Sequence, residues 1–229
     1  MSDIAQRYQS ILAKIKQYEI KYKRDSGSVN LIAVSKTKPA YMIREMAESG
    51  QRAFGENYLQ ESLQKQNELK DLNLEWHFIG HIQSNKTRDI AENFNWAHGV
   101  DRIKIARRLS DQRPAGLSPI NICLQVNLEG EISKSGVKPD EVITMASEIS
   151  TLPNINLRGL MAIPSPDKTH DQQRRVFKIM KTLLDQLNTS AMQYDVLSMG
   201  MTDDMEAAIA EGATHIRIGT ALFGPRSYQ

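Results

Sequence analysis

Three sets of residues in this 229-residue chain have types and spacing that could do chemistry. The first is Lys36, at the end of the run Leu31-Ile-Ala-Val-Ser35 and just before Thr37-Lys38-Pro39. That short, β-branched run has the pattern of a strand buried in a parallel sheet, and Pro39 suits the first turn of a following helix. Val34 and Lys36 would then share a strand face. A buried ammonium must be paired, neutral or covalently modified, because an unpaired charge is costly to remove from water. A lysine snorkelling at the sheet rim is the competing reading. The second is Arg217, flanked by Ile216 and Ile218. If the isoleucines face covering helices, the guanidinium points inward and demands acceptors, from a neighbouring carboxylate or from a ligand. The third is a pair of loops, Ser198-Met-Gly200-Met-Thr202 and Gly219-Thr220. Gly219 and Thr220 open a short helix, whose free amides and dipole attract an anion. Ser198 could add a hydroxyl, and Gly200 would let the backbone approach closely. Thr202 can also be read as an N-cap, with Asp203 and Asp204 in the first helical turn.

The elements that must position these residues alternate along the chain. Strand patterns cover 31–35, 52–55, 76–80, 96–100, 120–127, 156–161, 195–199 and 214–218. Helix patterns cover 40–49, 57–70, 86–92, 102–112, 139–150, 172–187 and 203–211, with a short apolar stub at 220–223. Such alternation implies a parallel sheet covered by helices. Eight strands in this length fit a single closed (β/α)8 barrel of the TIM type, which typically takes about 250 residues. The rival, an open doubly wound sheet, announces itself by a Gly-x-Gly-x-x-Gly turn after its first strand, and no such turn is present. Before the first strand, Ile4, Tyr8, Ile11, Leu12, Ile15, Tyr18 and Tyr22 form one helical stripe, ended by Gly27. Residues 1–25 are therefore an additional helix on a one-domain chain spanning 1–229.

In a barrel the active site is built from the strand C-termini, with phosphate often held after the last two strands. The rule brings Lys36, Ser198, Gly200, Arg217, Gly219 and Thr220 to one rim. An amine able to form an imine, an anion cradle and an inward arginine together suggest pyridoxal 5′-phosphate. Its aldehyde would join Lys36 Nζ, its phosphate would sit at Ser198, Gly219 and Thr220, and Arg217 would donate to the pyridine nitrogen. An arginine there should leave that nitrogen unprotonated, which weakens the ring as an electron sink. Lys38 could help hold Lys36 neutral by like-charge repulsion.

The remaining candidates point to packing or solvent. His77 and His81 are four apart on a strand end, unlike the helical His-Glu-x-x-His of zinc enzymes. Cys123, the single cysteine, reads as a small buried hydrophobe, and Met161, Met199 and Met201 as barrel packing. Lys134 lies in a loop beyond the fifth strand and is read as solvated, with cofactor contact as the minor alternative. A net charge of +2 implies neither a nucleic-acid nor a membrane partner. A lone cysteine, no signal peptide and no apolar run of about 18 residues fit a cytoplasmic protein, and a monomer is the expected state.

Several runs together resemble the pyridoxal phosphate homeostasis proteins, the YggS/PROSC-like group. They are Ala33-Val-Ser-Lys-Thr-Lys-Pro39, Phe54-Gly-Glu-Asn-Tyr58, Trp76-His-Phe-Ile-Gly80, Gln83-Ser-Asn-Lys86, Arg158-Gly-Leu-Met-Ala-Ile-Pro164, Leu197-Ser-Met-Gly-Met201 and Arg217-Ile-Gly219. The resemblance implies a barrel like the N-terminal domain of alanine racemase, with Lys36 as the Schiff-base lysine. It also implies Asn57 near the cofactor, Arg217 at the pyridine nitrogen, and phosphate contacts from Ser198, Gly219 and Thr220. Members of the group are thought to buffer or deliver pyridoxal phosphate, with apo-enzymes as recipients. The alternative is an amino-acid racemase of the alanine racemase type. That chemistry needs acid/base groups on both ligand faces, and in the larger racemases a C-terminal β domain supplies the second. Here Tyr228 is a tail residue, so a carrier is expected, with the cofactor covalent on Lys36 and no established catalytic residue.

Overall fold

The computed structural model describes residues 2–130, 135–166, 168–188 and 193–225. Strands β1 (Asn30–Val34), β2 (Ala53–Glu56), β3 (Glu75–Phe78), β4 (Trp96–Val100), β5 (Ile120–Gln125), β6 (Ile155–Met161), β7 (Val196–Ser198) and β8 (His215–Ile218) form a closed parallel barrel in sequence order. Between them run α2 (Ala40–Glu48), α3 (Leu59–Glu68), α4 (Thr87–Asn93), α5 (Ile103–Gln112), α6 (Val142–Ser150), α7 (His170–Leu187) and α8 (Met205–Ala210), and the four-residue α9 (Thr220–Phe223) follows β8. All eight expected strands are present, with ends that differ by a few residues. Closure is made by β8 against β1, where Ile32 pairs with Arg217 and Ala33 with Ile218.

Strand side chains alternate between two environments. Leu31, Ala33, Phe54, Trp76, Phe78, Leu197, Ile216 and Ile218 belong to the large core between sheet and helices. Inside the barrel, Trp96, Cys123, Met161 and Val196 make a second, small apolar cluster. Another part of the interior is polar, with His77, His98, Ser198 and Arg217 buried there.

The added helix is α1 (Asp3–Lys21), capped by the Ser2 hydroxyl accepting from the Ala5 amide at 3.3 Å. Its buried residues Ile4, Tyr8, Ile11 and Ile15 repeat at three and four, and the helix packs on α2, α8 and α9 over the closing seam. Glu19, 3% exposed, ties its end to the first strand by accepting from the backbone of Gly27 and Val29.

Candidate cofactor-binding site

Lys36 stands on a turn and not on the strand. β1 ends at Val34, the Ser35 amide still donates to the Gly55 carbonyl, and the Lys38 amide then closes the turn on the Ser35 carbonyl at 3.0 Å. The expected shared face with Val34 is therefore corrected: half-buried Lys36 leaves the ladder at the barrel rim. A buried ion pair fixes this turn. Lys65 of α3, 5% exposed, donates to the Ser35 carbonyl at 2.7 Å, to Glu56 Oε1 at 2.8 Å and to Glu61 Oε1 at 2.5 Å. Ser35 Oγ also donates to Glu56 Oε1, and the amide of Thr37 donates to Glu61 Oε1. Thr37 sits at φ +62°, a left-handed conformation that is uncommon without glycine, and the Glu61 contact holds it there. Burial pushes the Glu56 carboxyl up, and Lys65 opposes that. Lys38, expected to act on Lys36 by repulsion, donates its ammonium to the Pro225 carbonyl at 2.6 Å.

Arg217 points into the barrel, 4% exposed, as the flanking isoleucines imply. Its Nη1 donates to Ser198 Oγ at 2.7 Å and its Nη2 to the Ala162 carbonyl at 2.9 Å. Among the described residues no carboxylate lies within ion-pair distance, so the structural ion pair is not found. Burial brings its proton affinity down to about 10.

Ser198 is correspondingly reassigned. Its side chain is fully buried, and its Oγ lies between Arg217 and His98 Nδ1, 2.8 Å away. The hydroxyl expected at the phosphate is thus spent beneath the arginine, because β7 turns Val196 and Ser198 toward the axis. Gly200, at φ +96°, would place a Cβ 2.5 Å from Ala208 Cβ, so glycine is required there both by its backbone and by the close packing of α8. Thr202 is not the N-cap. Asp204 occupies that position, and its Oδ1 accepts from the Met201 amide at 2.5 Å. Gly219 caps α9, and the amides of Thr220 and Ala221 have no acceptor among the described residues.

On the same rim, a cleft of about 230 Å³ opens between Asn57, Gly80, His81, Gln125, Ala162 and Pro164. Asn57 Oδ1 is buried without a hydrogen-bond partner among the described residues. Lys134 falls outside the described residues.

The histidines separate. His81 stays on the rim, where its Nδ1 lies 3.0 Å from Ser135 Oγ, whereas His77 is buried inside the barrel. His77 has interior companions that the sequence reading left out, namely Glu75, His98 and His215. A signal was available: Glu75/His77, Trp96/His98 and His215/Arg217 are spaced by two, so each pair shares the inward face of its strand. Cys123 is fully buried as expected, and burial pushes its thiol up to about 12.

Residues 11–227 match the family model described as alanine racemase, N-terminal domain. The pyridoxal phosphate homeostasis protein of Pseudomonas aeruginosa is 57% identical over 228 residues, covering 100% of this chain and 98% of that protein. Its namesake in Escherichia coli K12 is 48% identical over 231 residues, covering 100% and 99%. Among solved structures, PipY of Synechococcus elongatus PCC7942 with PLP bound superposes with a TM-score of 0.84 at 39% identity, covering 97% of this chain and 100% of PipY. An alanine racemase from Clostridium difficile 630 shares the fold alone, with a TM-score of 0.74 at 12% identity, covering 95% of this chain and 57% of the racemase. The chain belongs to the alanine racemase N-terminal domain family and, within it, to the pyridoxal phosphate homeostasis proteins.

Proposed function

We propose that this chain binds pyridoxal 5′-phosphate at the C-terminal rim of the barrel and serves intracellular vitamin B6 homeostasis as a monomeric carrier. Lys36 Nζ holds the aldehyde in an exchangeable covalent link, and recipients are apo-enzymes that take the cofactor up. The observation that carries this reading is Arg217. Among the described residues this buried guanidinium donates to a hydroxyl and a carbonyl and makes no ion pair, which leaves charge for a ligand, and a pyridine nitrogen is an acceptor of the right kind. The donor set fits the rest of the cofactor. The amides of Thr220 and Ala221, next to Gly219, suit a phosphate, Gly200 shapes the neighbouring loop, and Asn57 offers a buried oxygen that lacks a partner among the described residues. When bound, the cofactor supplies an aldehyde and an electron-withdrawing ring. The chain's own groups bind and orient it: the ion pair of Lys65 with Glu56 and Glu61 fixes the Lys36 turn, and Arg217 donates at the ring nitrogen.

The racemase alternative draws less support, since the relatives matched over their full length carry the homeostasis name and the racemases match by fold alone. Purified protein should show a visible absorption band that borohydride bleaches, with the modified peptide mapping to Lys36. Persistence of that band in dialysed Lys36→Ala would refute the attachment. Rapid exchange of an amino-acid α-proton with solvent by the wild type, lost in Lys36→Ala, would move the assignment to the racemase.

A further inference from the structure

A line of hydrogen bonds runs through the barrel from one mouth to the other. At the cofactor end Arg217 Nη1 lies 2.7 Å from Ser198 Oγ. Ser198 Oγ lies 2.8 Å from His98 Nδ1, and His98 Nε2 lies 3.0 Å from His77 Nδ1. His77 Nε2 ends the line, 2.7 Å from Glu75 Oε1. Ser198, His98 and His77 are fully buried, whereas the Glu75 side chain is 48% exposed at the opposite mouth. That mouth is a separate cavity of about 710 Å³, which also includes Arg158, Asp195 and His215.

The two ends dictate the direction of every bond between them. A guanidinium only donates, so Ser198 Oγ accepts from Arg217 and has its own proton left to give. That proton goes to His98 Nδ1, which fixes His98 as the Nε2–H tautomer. His98 Nε2–H must then donate to His77 Nδ1, which makes His77 an Nε2–H tautomer as well. His77 Nε2–H finally donates to Glu75, and an ionised carboxylate only accepts. No bond in the line conflicts with another, and both imidazoles are neutral.

We propose that Glu75, His77, His98 and Ser198 are positioning residues that form a one-way hydrogen-bond chain, holding Arg217 in place and coupling it to a carboxylate at the far mouth of the barrel. The cofactor end of this proposal rests on the reading of Arg217 given above, whereas the direction of the chain does not. The surroundings favour the neutral form. Burial pulls His98 well below the usual imidazole range and lowers His77, although Glu75 pulls His77 the other way. The groups facing the chain are His215, whose ring centroid is 6.5 Å from His77 and 6.4 Å from His98, the Arg158–Asp195 pair at the lower mouth, and Asp204 near Arg217. A proton added to His77 would reverse the line. His77 would donate to His98 and His98 to Ser198, and the serine would accept from both sides while its own proton loses His98 as its acceptor.

The test has two arms. In the cofactor-free protein, imidazole 15N shifts at neutral pH should show His77 and His98 both as Nε2–H tautomers. Finding either as mainly Nδ1–H overturns the chain, whatever the protein binds. In the second arm pyridoxal phosphate affinity is measured for Glu75→Gln, Ser198→Ala and the double variant. Ser198→Ala should weaken binding about tenfold, the scale of one hydrogen bond to a charged group, and Glu75→Gln about threefold. With the line already cut at Ser198, adding Glu75→Gln should cost nothing further, whereas independent effects would multiply to about thirtyfold. A multiplying double variant overturns the coupling. A wild type that fails to bind the cofactor sinks the function proposed above and leaves the tautomer arm to decide the chain.

Discussion

On β3, Trp76 and Phe78 face the helices and pack among apolar side chains, while His77 between them faces the barrel axis and hydrogen-bonds in both directions. The same contrast holds on β8 between Ile216 or Ile218 and Arg217, and on β7 between Leu197 and Ser198. On β5 and β6 the inward side is partly apolar, with Cys123 and Met161. The outward layer thus carries hydrophobic stability all round the barrel. The inward layer is divided, part packing and part polar column, and the polar part leads to the rim that holds Lys36. A side chain's contribution therefore depends on which face it occupies more than on how deeply it is buried.

The largest expected effect tests the outward layer. Phe54, fully buried between sheet and helices, should cost about 4 kcal/mol when changed to alanine, read as a lower denaturant midpoint at unchanged slope. A loss below about 1 kcal/mol would mean that layer repacks freely.

Acid should attack the inward layer next. Burial lowers His215 from 6.5 to about 4, so as pH falls the unfolded chain binds the proton first. The stability it contributes is complete above 6.5 and is lost as pH drops through the window down to about 4. Over that window the loss is about 3 kcal/mol, with His77 and His98 adding loss of the same sign. Denaturation at stepped pH should show this decline, and His215→Phe should flatten part of it. Invariance between those pH values would contradict the picture of neutral interior histidines.

The smallest effect belongs to neither face. Arg44 and Asp71 make an exposed two-pronged pair at 2.6 and 2.9 Å, and Arg44→Ala should cost under about 1 kcal/mol, less still in high salt. A larger loss would place part of the protein's stability outside both layers.

The fold was legible because strand and helix periods are local: each of the eight strands could be read from its own few residues. Ile216 and Ile218 sufficed to send Arg217 inward. What resisted reading were contacts set by closure. Ser198 was expected at the phosphate because it ends a strand, yet register places its hydroxyl between a histidine 100 residues away and Arg217. Glu61 and Lys65 are four apart on α3 and could have been paired from the sequence, but the contact of Lys65 with Glu56 joins a helix to a strand and has no such period. Thr202 made a plausible cap, but α8 starts later, with Asp204 at the N-cap position and its carboxylate accepting from the Met201 amide upstream.

The chain has one cysteine, and Cys123 sits fully inside the barrel with its thiol pushed up to about 12. A thiol that is neither ionised nor reachable does not react with maleimides or iodoacetamides under native conditions. The wild-type protein is accordingly silent to such reagents, so a cysteine introduced on either mouth of the barrel becomes a unique attachment point for a fluorophore or spin label. Distances and motions at each mouth can then be followed without first rebuilding the interior.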